Sequence, residues 1–131
     1  MQFSILHQNI QSMRNKLLDL DIVLKLRVQN TDVLCLTEHW MKEDYITTVH
    51  IDQYKLVSHF GRKNHNHGGS CIYAKKNIHT KDVKYLQGMS VEKDFEMSVS
   101  EVVTHGYIVV CIYRSPDGNF RVFLNNLELI I

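Results

Sequence analysis

Residues 33–40 read VLCLTEHW, and this stretch decides how the rest of the chain is interpreted. Four apolar residues, 33–36, run directly into Thr37 and Glu38, and the only tryptophan, Trp40, follows. A short apolar run that ends in polar residues is typical of a buried strand, here residues 33–37. In α/β domains, functional groups collect where strands end. The stretch therefore predicts an α/β fold with Glu38 at its functional edge.

The residues before this strand predict a βαβ unit. Residues 2–8 alternate loosely and favour a first strand, and Ser12 suits the N-cap of a helix. Apolar residues then recur on one helical face, which predicts a helix over residues 13–29; they are Met13, Leu17, Leu20, Leu24 and Val28. A strand, a helix and a second strand within about 36 residues indicate parallel strands.

The residues after Trp40 predict two hairpins and a second helix. Residues 54–60 and 70–74 form one predicted hairpin, joined by the basic loop GRKNHNHGG, and residues 99–104 and 107–113 form another that turns at His105–Gly106. A second amphipathic helix is predicted to start near Asn119. We expect strands 2–8, 33–37, 70–74 and 107–113 to lie in one sheet, with the first helix on one face.

Composition narrows the class of protein. The chain has 131 residues, 44% of them apolar and 22% charged, as in an ordinary globular protein, and we expect a single domain. No apolar run approaches the roughly 20 residues of a membrane span, and no signal peptide is visible, so we expect no membrane partner and an intracellular location. Cys35, Cys71 and Cys111 all sit in apolar runs, which predicts buried thiols in a reducing compartment.

The charge distribution is uneven. Residues 59–85 carry six lysines and arginines against one acid, so the rest of the chain is acidic despite the overall net charge of +1. A basic segment is a weak indication of a polyanionic partner, and a solvated loop explains it equally well. His65 and His67 in this loop have no partner with zinc-ligand spacing, which favours the solvated loop over a metal site.

Three polar residues follow or end predicted strands: Asn9, Glu38 and Tyr113. A carboxylate can hold a hard cation, an amide can orient a phosphate oxygen, and a phenol can donate a hydrogen bond to a phosphate. Each residue also has an ordinary structural explanation: a turn for Asn9, a cap or solvated carboxylate for Glu38, core packing for Tyr113. Trp40 suits either packing beside Glu38 or stacking on a base.

Four blocks occur in a diagnostic order: ILHQNIQSMRNKL, DVLCLTEHW, HGGSCIYAKK and VVCIYRSPDGNF. In this order they resemble the N-terminal half of an endonuclease/exonuclease/phosphatase domain, the DNase I-like fold. More narrowly, they are similar to the apurinic/apyrimidinic-type endonuclease domain of non-LTR retrotransposons, especially the jockey-like group. The resemblance implies part of a four-layer α/β sandwich over residues 1–131, with one sheet and flanking helices present and the C-terminal half missing.

The resemblance also implies roles for individual residues. Asn9 matches the asparagine at the phosphate site, Glu38 the metal-binding glutamate, and Tyr113 the tyrosine that stabilises the scissile phosphate. Arg114 and Asn119 then approach the DNA backbone. Separately, Arg62 and Lys63 of the basic loop are expected to be exposed, with the rest of residues 61–67, and to attract phosphates.

The implied activity is hydrolysis of DNA phosphodiester bonds with Mg²⁺ or Mn²⁺, as in target-site nicking by a retrotransposon in the nucleus. The implied partners are DNA, a C-terminal half-domain and a downstream reverse transcriptase. The family's Asp-x-Asn pair and late Asp-His pair have no match here, so we expect the isolated chain to be inactive. Two alternatives remain: a decayed or domesticated copy that only binds DNA or protein, and a phosphatase of small substrates.

Overall fold

The computed structural model describes residues 2–27 and 31–131, and within them it is a mixed α/β fold of two sheets and four helices. The strands are β1 (Ile5–Asn9), β2 (Val33–Thr37), β3 (Tyr54–Phe60), β4 (Ser70–Lys75), β5 (Thr80–Asp82), β6 (Glu96–Val102) and β7 (Tyr107–Tyr113). The helices are α1 (Leu17–Arg27), α2 (Glu43–Ile46), α3 (Lys84–Gln87) and α4 (Phe120–Ile130).

The first sheet has the strand order β1-β2-β4-β3. Strands β1 and β2 are parallel, with Asn9 opposite Thr37, as predicted from the strand–helix–strand pattern. Strands β3 and β4 form the predicted antiparallel hairpin around the basic loop. Every residue of β2 is buried, which agrees with its continuous apolar sequence.

The second sheet has the order β5-β6-β7, and the predicted hairpin that turns at Gly106 joins β6 to β7. The expectation that residues 107–113 share a sheet with β1, β2 and β4 is therefore wrong. It failed because a strand covered on both faces is equally apolar whether the cover is a helix or a second sheet.

Three apolar clusters hold these elements together. One lies between α1 and the first sheet and includes Leu20, Leu24 and Leu34. The second fills the space between the two sheets, and the third packs α4 onto the second sheet. The expectation of one sheet with flanking helices is thus corrected, because a second sheet, through β6 and β7, covers β2, β3 and β4.

The first helix begins later than the sequence predicts. Ser12 is not its N-cap but has a positive φ of 81°, and its N–H donates to the carbonyl of Glu38, 3.0 Å away. Met13 likewise donates to the carbonyl of His39, so these residues join the loop after β2 instead of a helix. Val28 and the predicted helix end at residues 29–30 lie outside the described residues.

Over residues 2–27 and 31–131, no helix has the length and apolar character needed to cross a membrane.

Candidate functional site

The segment after β2 makes a sharp turn at Glu38, His39 and Trp40. Glu38 and Trp40 both have positive φ angles, 56° and 64°, which non-glycine residues adopt only when their surroundings impose it. The N–H of Glu38 donates to Gly69 and the N–H of Trp40 to Gly68, at 2.8 and 2.9 Å. The turn is therefore clamped to the start of β4, and half-buried Glu38 is held there.

His39 locks this turn from inside, and it is fully buried. Its Nδ1 accepts from the N–H of Met41 at 2.9 Å, and its Nε2 donates to the carbonyl of Phe60 at 2.8 Å. A backbone N–H can only donate and a carbonyl can only accept, so the ring must be neutral with its proton on Nε2. Burial lowers the pKa of His39 to about 4, which agrees with a neutral ring at pH 7.

The pair Gly68–Gly69 makes the clamp possible. Both residues have positive φ angles, and a Cβ on Gly69 would lie closer than 3.0 Å to the His39 ring. A Cβ on Gly68 would meet the Arg62 guanidinium equally closely. The sequence places both glycines at the end of the basic loop, and β4 begins at the next residue, Ser70.

Glu38 and Tyr113 meet across the two sheets. The two side chains line the same cavity. Burial, followed by the nearby Glu38 charge, raises the pKa of Tyr113 to about 12, so the phenol stays protonated and can act as a donor at neutral pH. The structure thus brings together two of the three residues predicted from strand ends.

Arg62 and Glu96 form a buried ion pair beside Tyr113. Glu96 on β6 stands opposite Tyr113 on β7 in the strand register. The Glu96 carboxylate accepts from the Arg62 guanidinium at 2.6 Å, and from the N–H groups of Gly69 and Lys93. Arg62 is 5% exposed and Glu96 is fully buried. Nothing in the sequence indicates this pair, because its members are 34 residues apart.

The expectation that residues 61–67 are all exposed is therefore wrong for Gly61 and Arg62, although residues 63–67 are exposed. Because only 5% of Arg62 is exposed, it has little surface for a DNA phosphate, and its charge is already balanced by Glu96. Lys63 remains an exposed side chain. Its N–H, together with that of Asn64, donates to the carboxylate of Glu92, which also bonds the His65 ring.

The turn after β7 forms the opposite side of the site. Lys93 Nζ and the Asp117 carboxylate form an ion pair of 2.6 Å on the surface. The Arg114 guanidinium lies over the rings of Phe120 and Phe123, 5.2 and 5.9 Å from their centres. Asn119 is the N-cap of α4, as its Oδ1 accepts from the N–H groups of residues 121 and 122. Arg114 and Asn119 thus have structural partners; neither contact tests a role in DNA binding.

Asn9 lies at the same end of the first sheet, one strand away from Glu38. It is exposed and stands opposite Thr37, the residue that precedes Glu38. Adjacent strands are about 4.8 Å apart, so both residues lie at the carboxyl ends of two neighbouring strands. Asn9 does not line the cavity that contains Glu38 and Tyr113.

That cavity has a volume of about 550 Å³ and is mostly polar. Its walls are the loop 62–68, Lys93 and the turn 115–117, with Glu38 and Tyr113 between them. Within the described part of the chain, no three His, Cys, Asp or Glu side chains are grouped as a metal site. Glu38 can still serve as a single carboxylate ligand, which suits a hard cation that keeps waters or phosphate oxygens as its other ligands.

Trp40 borders the site at its rim. It is 40% exposed, and its ring packs against that of His67 with centroids 4.2 Å apart. Trp40 therefore packs on the loop 62–68, and its exposed part leaves the interpretation as a base-stacking platform untested.

Comparisons of the chain with protein-family models, with curated proteins and with solved structures found no match.

Proposed function

We propose that this chain is part of a metal-dependent phosphodiesterase domain of the DNase I-like class, and that the intact domain hydrolyses DNA backbone bonds. The 131-residue chain alone is proposed to be inactive. The observation that carries the proposal is that Glu38 and Tyr113 line the same cavity. These residues are 75 positions apart and come from different sheets, yet they meet in one polar cavity, as the resemblance requires.

The order of the clusters also supports this proposal. Helix α1, the first sheet, the second sheet and α4 follow one another through three apolar clusters. We therefore propose a DNase I-like four-layer arrangement. A groove of about 620 Å³ between β1 and β7, lined by Phe3, Ile5 and Tyr107, offers space where further strands of the parent domain would extend both sheets.

In the proposed reaction, the side chains at the sheet edge bind and orient a phosphate group. The Tyr113 hydroxyl donates a hydrogen bond to a phosphate oxygen, and its raised pKa keeps the donor proton in place. Asn9 orients the phosphate from the neighbouring strand end, and Glu38 holds the cation. When bound, Mg²⁺ or Mn²⁺ polarises the phosphate and stabilises the leaving oxygen.

The proton of the attacking water needs a positioned base, and such assistance is typically worth 10²–10⁴-fold in rate. The resemblance assigns this task to an Asp-His pair that has no match in these residues. We propose that a C-terminal half-domain supplies it, and that the parent protein acts on DNA in the nucleus together with a reverse transcriptase.

Activity is tested by nicking of supercoiled plasmid with Mg²⁺. We expect no nicking by the chain alone, and nicking when it is mixed with the C-terminal half of a related domain. Glu38→Gln should abolish that activity, whereas Glu128→Gln, an exposed carboxylate on α4, should not change it. Nicking by the chain alone that is lost with Glu38→Gln would show that the fragment is complete enough for catalysis.

Metal binding is tested separately, by adding Mn²⁺ to ¹⁵N-labelled protein and recording amide signals. A paramagnetic ion at Glu38 should broaden the signals of residues 37–40 and 113–115 first. Glu38→Gln should remove this selectivity and Glu128→Gln should retain it. Uniform weak broadening in the wild type would favour the alternative of a non-catalytic binding module.

A further inference from the structure

Two thiols face each other between the sheets. Cys35 is the third residue of β2 and Cys111 the fifth residue of β7, and both belong to the inter-sheet cluster. The Cys111 sulfur lies 3.8 Å from the carbonyl oxygen of Leu36, the residue after Cys35. The two side chains therefore approach each other although they come from different sheets.

This thiol pair can be reached from outside. Cys35 and Cys111 are only 5% and 3% exposed, but both line the open groove of about 620 Å³ between β1 and β7. Cys71 differs from this pair in its position in the sheet and in its access to the groove. It is fully buried on the opposite face of the first sheet, in the cluster under α1, and it does not line the groove.

We propose that Cys35 and Cys111 are a modification site, at which a peroxide entering from the groove forms a disulfide that joins the two sheets. A disulfide needs Cβ atoms about 3.5–4.5 Å apart, and the Cys111 sulfur already lies 3.8 Å from the backbone of the residue after Cys35. The proposal does not depend on the proposed function of the Glu38 site.

The chemistry balances with hydrogen peroxide as the oxidant. The Cys35 thiolate attacks one peroxide oxygen, an S–O bond forms, the O–O bond breaks, and the departing hydroxide takes up a proton to become water. The Cys111 sulfur, on losing its proton, then attacks the Cys35 sulfur, so that the S–S bond forms and a second water leaves. Two thiols lose two electrons and two protons, and one peroxide becomes two waters.

The contact between the thiols also assigns the order of these steps. The interaction between the two thiols lowers the pKa of Cys35 and raises the pKa of Cys111. Cys35 is therefore the sulfur that reacts first with the oxidant, since the thiolate is the nucleophile.

The disulfide would lie directly beneath the candidate site. Cys35 precedes Glu38 by three residues on β2, and Cys111 precedes Tyr113 by two on β7. A covalent bond at this level fixes the spacing of the two strands that carry these residues.

The experiment is a peroxide titration of the reduced chain, followed by thiol counting in denaturant and by peptide mapping. We expect the three thiols to fall to one, with a linked peptide pair containing Cys35 and Cys111. The loop closed by this bond is long, so the melting temperature should rise by roughly 5–15 °C and return to its first value on reduction.

Two variants separate this pair from general oxidation. Cys71→Ser should form the same linked peptides and lose both remaining thiols. Cys35→Ser should give no link within the chain. Links that involve Cys71, links between chains, or sulfinic acid without any Cys35–Cys111 link in the wild type would overturn the proposal, whether or not the variants fold.

Discussion

The two walls of the Glu38–Tyr113 cavity are both fixed by an ion pair, but the pairs differ in burial. The first wall, the loop 62–68, is held by Arg62 and Glu96, whose side chains are 6% and 0% exposed. The second wall, the turn 115–117, is held by Lys93 and Asp117, whose side chains are 29% and 66% exposed. Their distances are the same, 2.6 Å.

The comparison teaches that distance alone does not say what an ion pair does. Buried charges have lost their hydration, so removing one partner leaves the other uncompensated. An exposed pair exchanges its contact for water and salt at little cost. The first wall should therefore behave as part of the core, and the second as a surface feature.

The largest effect is expected from Glu96→Gln, which leaves the buried Arg62 without a counter-charge. We expect a loss of about 3–5 kcal/mol in the free energy of unfolding, measured by urea denaturation. Glu101→Gln, on the same strand but only half-buried, is the control and should change it by less than about 0.5 kcal/mol. Equal effects of the two variants would show that burial does not distinguish the first wall.

The next effect is expected from Gly69→Ala, which places a Cβ against the His39 ring at a φ of 95°. We expect a loss of about 2–4 kcal/mol in the same urea assay, since both strain and overpacking contribute. Gly106→Ala has a similar φ of 71° with no atom within 4 Å, so it isolates the backbone term of about 1 kcal/mol. If the two substitutions cost the same, the contact with His39 is not what fixes the wall.

A smaller effect is expected from pH, through His39. The ring has a folded pKa of about 4, against 6.5 in its unperturbed state, because burial outweighs the opposing influence of the hydrogen bond to the Phe60 carbonyl. Unfolding therefore takes up a proton between these values. The free energy of unfolding should fall as pH drops from about 6.5 to 4, by at most about 3 kcal/mol, and level off below.

His39→Gln is the control for this pH dependence. The glutamine amide can accept and donate like the neutral ring, but it does not titrate. The difference between wild-type and variant stability curves measures the contribution of His39 alone, separate from His59 and His65. Parallel curves from pH 7 to 4 would contradict the assignment of a neutral buried ring.

The smallest effect is expected from Asp117→Asn in the second wall. The Lys93 contact and the Ser115 hydroxyl lower the pKa of Asp117 to about 2, so its contribution is present above pH 4 and is lost as pH falls towards 2. Because the group is exposed, we expect no resolvable shift in the urea midpoint at 0.15 M salt and pH 7. A midpoint shift as large as that of Glu96→Gln would remove the distinction between the walls.

Local elements of the fold could be predicted because their signals are local. The βαβ opening, both hairpins and the start of α4 at its Asn119 cap all follow from periodicity and turn residues. The division into two sheets could not be predicted in this way. It depends on which strands form hydrogen bonds to each other and which pack face to face, and both are contacts between residues far apart in the sequence. The same holds for Ser12, whose N–H bonds to a residue 26 positions later.

Site residues could be predicted from the sequence only where they end an apolar strand. Glu38 and Tyr113 ended apolar runs, and the structure brings them together. Glu96 carried no signal, because a glutamate inside a mixed segment is ordinarily exposed. Arg62 was assigned to the surface for the same reason, and only a partner 34 residues away allows its burial.

The offset between the two sheets also governs how copies of this chain can meet. Strand β7 packs under β2 and β4, so β1 extends past the free edge of β7 and overhangs the groove. A second copy that paired its own β7 with this edge would bring its first sheet against the projecting β1. The projecting strand therefore hinders edge-to-edge pairing of two copies, whereas a single extended strand needs only the space of the groove.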